Sequence, residues 1–419
     1  MTLLLEINDI GLRCYQDGQL LHQSPGIAVA EKHLLLGDEA WQQSRLHPLN
    51  THADFWSQLN TATISSQHPK VRHNGDLAYL HLQHIESQLG ISFNHQDVIY
   101  ALPSSMDRNA LGLLLGISQQ CGLNPIGLVD QALAAMLPHA NQQQVWFLDM
   151  HLNESLLTQL SLSDGTLKRE NTESFSAQGW LQIHSKVLQF LADEFIRSTR
   201  FNPRHNAGIE QRLFNIIPDL LHQSLTAPSI QCELEGNEIK VDSQALRQVI
   251  QAAVPAITDQ LMRLSNLYLS DRLGQWQPLF SNQSKAVVLS QSQHTSAMSL
   301  LSKQIDAHPE GVRFVSSLPS QHQSKTDSRA ETTSLASHFV WRHRAYPLNG
   351  HYSISRDGEL QQGTNNNCAV FIQQGSVRAG SAKLTHNQSP ITSLDSCHIG
   401  DQLHIDDLKD SIVMIGVES

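Results

Sequence analysis

Twenty-three histidines and five cysteines are the residues in this sequence that most readily hold a metal or attack a substrate. Their spacing argues against both uses. Cys14, Cys121, Cys232, Cys368 and Cys397 are scattered, odd in number and form no C-x-x-C pair, which reads as reduced thiols rather than a disulfide framework. His81 and His84 stand at i,i+3 on a predicted helix, yet no third ligand is predictable beside them and H-E-x-x-H does not occur. Scattered Cys, His and Asp residues define no catalytic triad. What remains is a set of carboxylates at element ends. Asp149, closing an apolar run, reads by itself as a turn or cap residue. Asp130 reads as a helix N-terminal residue favoured by the helix dipole.

The elements that must position these carboxylates repeat. Residues 3–7 are apolar, Asp9-Ile10-Gly11 turns the chain, Leu12 to Tyr15 follows, and Asp17-Gly18 signals a hairpin before Gln19-Leu20-Leu21. A third apolar run spans Ile27 to Ala30. The opening is therefore an antiparallel meander. A helical pattern at 76–88 leads to a buried strand, Val98 to Leu102, and then to a helix from Asp107 to a Gly122 stop. An alanine-rich helix runs from Asp130 to Leu137. A second meander then opens at Val145 to Asp149 and continues through Leu156 to Leu162, with Asp164-Gly165 as its turn. Counted from Glu6 to Asp149, the two meanders lie 143 residues apart, which is an internal repeat.

Helices are predicted over 180–197, 208–222, Ser243 to Ser265 and 296–305, with a short β insert at Ile230 to Val241 and a buried strand at Lys285 to Leu289. Residues 317–333, rich in Ser, Gln and Thr, read as a loop or linker. From about residue 339, short β-like runs separated by glycines read as an all-β unit of roughly 80 residues. The expected division is 1–142, 143–316 with an insert at about 200–280, a linker and closing helix at 317–338, and 339–419.

Composition narrows the function. The chain has 419 residues, 40% hydrophobic, enough for several cores, while 16% charged falls below the usual value of about 25%. With 28 Lys+Arg against 39 Asp+Glu, net charge −11, and no basic cluster, nucleic acid is excluded as a main partner. No stretch approaches the ~20 apolar residues of a membrane helix, and Leu3-Leu4-Leu5 meets Glu6 without a basic start, so it is not read as a signal peptide. The expectation is an acidic cytoplasmic protein of several domains without direct membrane insertion.

The duplicated meander with an acidic residue at each first strand resembles the plan of the actin-like ATPase superfamily, and within it the nucleotide-binding domain of DnaK-type heat-shock chaperones. The resemblance runs in order over roughly residues 3–300. Ser24-Pro25-Gly26-Ile27-Ala28 stands where that family has T-P-S-V-V, and Leu36-Gly37-Asp38-Glu39-Ala40 where it has V-G-x-x-A. Val98 to Pro103, with Arg108 and Ala110, is similar to V-I-T-V-P-A…R-x-A, and Cys121-Gly122-Leu123-Asn124 to A-G-L-N. Asp130 to Ala135 lies on E-P-T-A-A-A, Ala177-Gln178-Gly179-Trp180-Leu181 on L-G-G-x-D-F, and His222 to Thr226 on K-x-x-L-S. The resemblance implies two ribonuclease-H-like α/β lobes, each with a five-stranded mixed sheet, flanking a cleft, followed by the small all-β domain.

The family's chemistry is not carried over. Its first phosphate hairpin, D-x-G-T-T, is Glu6-Ile7-Asn8-Asp9-Ile10 here, without the glycine that lets backbone N–H groups approach phosphate oxygens. Its second, D-x-G-G-G-T-x-D, is Asp149-Met150-His151-Leu152-Asn153-Glu154-Ser155-Leu156. Asp9 and Glu154 would present carboxylates to the phosphates. The adenosine loop, L-V-G-G-S-x-R-x-P, is Val288 to Ser296 without the glycines, the Arg or the Pro, and Phe55 to Asn60 offers no catalytic lysine. The resemblance thus implies a pseudo-ATPase with no cofactor, acting as an adaptor or scaffold for another protein. Two alternatives stand beside it. One is a divergent chaperone-type ATPase holding Mg–ATP through Glu6, Asn8, Asp130, Asp149, His151, Asn153, Ser290 and Gln291. The other is an actin-like assembly component of a bacterial envelope or filament machine. At the C-terminus, Arg356-Asp357-Gly358 and Gly400-Asp401-Gln402-Leu403 are similar to forkhead-associated β-sandwiches, but their phosphothreonine-binding Ser-x-x-His is missing, which leaves a small β-sandwich or a shortened relative of the chaperones' peptide-binding domain.

Overall fold

A computed structural model describes residues 2–274, 286–305, 312–320 and 336–415, the last stretch apart from 343, 364–367, 374–375, 387–388, 395–396, 398–401, 406–407 and 409–410. Part of the expected linker (321–335), part of the insert (275–280), Lys285 of the expected strand and the Gly400-Asp401 turn lie outside the described residues. The chain divides into two units, Met1–Gln323 and Ser324–Ser419.

The first unit is mixed α/β. Strands β1 (Leu3–Glu6), β2 (Leu12–Gln16) and β3 (Gln19–Ser24) form the first antiparallel meander. Its Asp17-Gly18 turn has both residues at positive φ, 50° and 75°, which the type I′ geometry of a two-residue hairpin requires. Helix α1 (Asn74–Leu89) precedes β4 (Gln96–Leu102), α2 (Arg108–Gln120) precedes β5 (Leu123–Asp130), and α3 (Gln131–Met136) follows at once. β4 pairs parallel with both β1 and β5, and these strands are continuous apolar runs because both of their faces are covered.

The second meander is β6 (Gln144–Met150), β7 (Glu154–Ser163) and β8 (Thr166–Ser176), turning at Asp164-Gly165 with φ of 50° and 68°. Helices α4 (Trp180–Thr199) and α5 (Ala207–Ser224), a hairpin of Ser229–Leu234 with Asn237–Asp242, and helices α6 (Ser243–Ala253) and α7 (Pro255–Arg263) form a largely helical insertion. The single helix expected over 243–265 is two. Pro255 lacks the N–H that would bond back into the preceding turn, so the chain breaks at Val254. After β9 (Leu267–Leu269) and α8 (Asp271–Gly274), β10 (Val287–Val288) leads into α9 (Gln291–Gln304). The unit closes with β11 (Phe314–Val315) and β12 (Ser317–Pro319).

Five strands of each main sheet follow the same order, and the sixth is added at opposite edges. The first sheet reads β3-β2-β1-β4-β5-β11 and the second β12-β8-β7-β6-β9-β10. In each, the first meander strand pairs antiparallel with the second and parallel with a later strand: Glu6 opposite Arg13 and Ala101, Leu148 opposite Leu157 and Leu269. Each sheet has six strands where five were expected, because β11 and β12 add one to each. That also corrects the linker: Ser317 to Pro319 pair antiparallel with Thr166 to Lys168, an alternating pattern whose central Leu318 is buried. Each sheet with the helices packed on it, called a lobe below, has its own core, and a third cluster is shared. It joins Leu4 and Ile99 of the first sheet to Phe147 and Leu160 of the second through the wholly buried α3 and through Met298 of α9.

In the second unit, every regular element among the described residues is a strand. Two antiparallel sheets, of six and five strands, surround Phe339, Trp341, Tyr352, Leu403 and Ile412. Trp341 Nε1 donates to Gly358 O (3.1 Å), and the positive φ of Gly358 (77°) makes the Asp357-Gly358 turn. Arg356 Nε donates to Ser381 Oγ, a contact within this unit.

Candidate functional site

The carboxylates singled out above converge on the boundary between the two lobes of the first unit, in three layers. The deepest is built on the β1–β2 register, which places Glu6 opposite Arg13. Glu6 is fully buried. Its Oε1 accepts from Gln131 Nε2 (2.6 Å), and its Oε2 lies 3.3 Å from Tyr15 Oη, 3.2 Å from Arg272 Nη2 and 3.1 Å from His294 Nε2. Arg13 Nη1 reaches Asp271 Oδ2 at 2.8 Å. Thus α8 and α9 of the second lobe are pinned by charge to the first sheet. Burial alone would raise the Glu6 pKa, but His294, Arg272 and Arg13 outweigh it and hold the carboxyl well below the usual carboxylate range. Burial pushes the His294 imidazole down, while Glu6 and then Asp271 more than restore it and raise it above 6.5.

The middle layer joins the two hairpin turns. Asn8 Nδ2 donates to Asp149 Oδ2 (2.9 Å) and to Met150 O (3.0 Å), while its Oδ1 accepts from Ile10 N (3.0 Å) and shapes its own turn. Asp9 Oδ1 accepts from Leu152 N (2.7 Å) and lies 3.4 Å from His151 Nδ1. Asn153 Nδ2 donates to Ala53 O (2.7 Å), and Ser105 Oγ to Glu154 Oε1 (2.9 Å). The two carboxylates expected to repel phosphate, Asp9 and Glu154, are therefore acceptors that bind the opposite lobe. Asp130 caps α3 by accepting from Leu133 N, and its Oδ2 takes Ser104 Oγ (2.6 Å) and Arg169 Nη1 (3.0 Å) of β8. Burial raises its pKa, against the pull of Ser104 and Arg169.

The outer layer closes the top. Trp41, ending the short helix Gly37–Trp41, packs on Phe214 of α5 at a ring distance of 4.9 Å and on His184 of α4 at 5.6 Å. Gln211 brackets the same turn, its Oε1 accepting from Arg45 N (2.6 Å) and its Nε2 donating to Trp41 O (3.0 Å). Arg45 lies over the Phe214 ring at 4.5 Å.

Between these layers, a cavity lined by Ser104, Gln131, Asp149, His151 and Thr158 measures about 10 Å³, room for one water. A nucleotide occupies a cleft of roughly 300 Å³ or more. A larger cavity of about 340 Å³ lies on the first lobe beside Trp56, Leu59, Asn60 and Asn109, and no Lys or Arg lines it among the described residues.

Of the residues expected to hold a nucleotide, Asn8, Asp149 and His151 are brought together, Glu6, Asp130 and Asn153 each have separate protein partners, and Ser290 and Gln291 are not part of the group. Ser290 is exposed and caps α9 by accepting from Gln293 N (3.2 Å), with Gln291 as the first residue of that helix. His81 is committed within the first lobe, Nδ1 to Trp56 Nε1 and Nε2 to Ser24 Oγ. Arg13, Arg169, Asp271, Arg272 and His294 carry interlobe contacts, and Gln131 holds Glu6 within the first lobe, without having been singled out. His294 falls in the stretch where the resemblance expects an adenosine loop, but nothing local marks it as a partner of Glu6. No protein-family model and no curated protein matches this chain.

Proposed function

We propose that the first unit is a degenerate actin-like ATPase domain of DnaK type, in which direct contact between the lobes replaces the nucleotide and which serves as a scaffold for another protein. Two sheets that share the order of five strands, separated by a 143-residue repeat and linked through a shared core, support the fold half of this reading. The observation that carries the functional half is the Asn8–Asp149 hydrogen bond. It joins the two turns that in a working relative stand apart around the phosphates. Opening this cleft for Mg–ATP would strip partners from the buried Asn8, Asp9 and Asp149, each buried polar group left unpaired costing about 1–3 kcal/mol.

Calorimetric titration of the full chain with Mg–ATP tests the reading. The expected result is no binding heat. A dissociation constant below about 100 μM, or roughly −5.5 kcal/mol, would overturn it in favour of a chaperone-type ATPase. The scaffold half is tested by its mass in cell extract: the chain should be recovered in complex with another protein, and recovery solely as the free chain would count against it.

A further inference from the structure

Four histidines are buried among the described residues: His81, His151, His184 and His294. Their surroundings sort them into two pairs. His81 accepts from Trp56 Nε1 at Nδ1 and faces Ser24 Oγ at Nε2, and burial pushes it down to about 3. His184 places Nδ1 at 3.1 Å from Trp180 O, and burial pushes it down to about 4. Both are neutral at any working pH. His151 and His294 instead each face a carboxylate of the opposite lobe, at 3.4 Å from Asp9 and 3.1 Å from Glu6.

We propose that His151, seconded by His294, is a proton-operated latch: its imidazolium holds the lobes shut, and loss of the proton frees the boundary to open. The charge arrangement at His151 carries this. From the first lobe it meets Asp9, and from its own lobe Asp149 of β6 and Glu154 of β7. Its imidazolium is thus the cation in contact with Asp9, whose other donor, Leu152 N, is neutral, as are the Asn8 Nδ2 and Met150 N donors to Asp149. The ring has room for both protons, because Nδ1 lies 3.4 Å from Asp9 while Nε2 has no protein partner, and the residue lines the water-sized cavity. His294 is better buffered. Glu6 of β1, Arg13 and Tyr15 of β2, and Asp271 and Arg272 of α8 surround it, and Arg272 continues to hold Glu6 when the imidazole is neutral.

Burial opposes the His151 proton, but Asp9, Asp149 and Glu154 raise its pKa above 6.5. A group raised in the folded state stabilises fully below its unfolded value and loses that contribution as pH rises through the folded value. The latch is therefore closed below the ordinary imidazole value and released as pH rises through the raised one. Cys14 and Cys121, pushed by burial up to about 12, and Cys232, to about 11, do not ionise in that range. The inference rests on the closed boundary, not on the identity of a partner, and it fails independently of the ATP titration.

Hydrogen exchange of the full chain, corrected for the intrinsic pH dependence, tests it. From about pH 6 to about pH 9, protection of residues 7–11 and 150–154 should fall about tenfold or more, the effect of losing one hydrogen bond to a charged group. Residues 98–101 of β4 should keep theirs. In His151→Gln the protection of the two turns should no longer depend on pH. Unchanged protection in the natural chain, or a full pH response persisting in His151→Gln, overturns the latch. A measurement free of any folding defect is histidine-selective nitrogen NMR of the natural chain: a His151 ring already neutral at about pH 6.5 would equally overturn it.

Discussion

Replacing Asn8 by alanine separates a structural boundary from a ligand site more cleanly than any other single change. The side chain is fully buried and makes three hydrogen bonds, to the Asp149 carboxylate, to Met150 O and from Ile10 N. A bond to a charged acceptor contributes about 1.5–3 kcal/mol and each neutral one about 0.5–1.5 kcal/mol. Asn8→Ala removes all three and leaves the Asp149 Oδ2 and Met150 O acceptors without their partner, so the expected loss is about 3–5 kcal/mol. For a unit of this size, each kcal/mol lowers the melting temperature by about 2 °C, so the midpoint should fall by roughly 6–10 °C. Differential scanning calorimetry of the full chain without added ligand reads this directly. If the two turns were a nucleotide site awaiting its ligand, the unliganded protein would tolerate the change and only ATP-dependent stabilisation would suffer. A shift under about 1 °C without ligand would therefore refute the boundary as the seat of stability.

Two further changes probe neighbouring features. A methyl at Gly179 would lie 2.6 Å from His151 O, Asn153 C and Glu154 N, all backbone, so Gly179→Ala should displace the second turn and destabilise by about 3 kcal/mol in chemical denaturation; a loss below about 0.5 kcal/mol would contradict the packing. The Cys14 thiol, fully buried and pushed up to about 12, should resist alkylation in the native protein at about pH 8 and react on unfolding; rapid native labelling would show the first sheet to be more open than described.

Much of the architecture is legible in local chemistry. The Asp17-Gly18 and Asp164-Gly165 pairs specify type I′ hairpins, and apolar runs such as Val98 to Leu102 specify strands buried on both faces. Strands β11 and β12 are too short to rise above the polar residues around them, and their pairing is decided by strand edges far away in the sequence. The same holds for the boundary. Asn8 and Asp149 could be marked from the repeat, but Arg13, Arg272 and His294 acquire their roles only when two lobes bring them to Glu6. Nothing in the types or spacing of Asp9 and Glu154 tells that each carboxylate accepts from a donor on the opposite lobe.

The two closing strands set a timetable for synthesis. A single residue, Ser316, separates β11, which completes the first sheet beside β5, from β12, which completes the second beside β8. β5 ends at Asp130, yet its partner begins only at Phe314. At about 5–20 residues per second, the ribosome leaves that edge of the first sheet bare for roughly 10–40 s, long after the lobe could otherwise have formed. An unpaired parallel edge of buried apolar residues is a template for pairing with other chains. A nascent chain stalled before Phe314 would leave this edge and the antiparallel β8 edge of the second sheet unpaired, and a chain released just after Pro319 would leave neither.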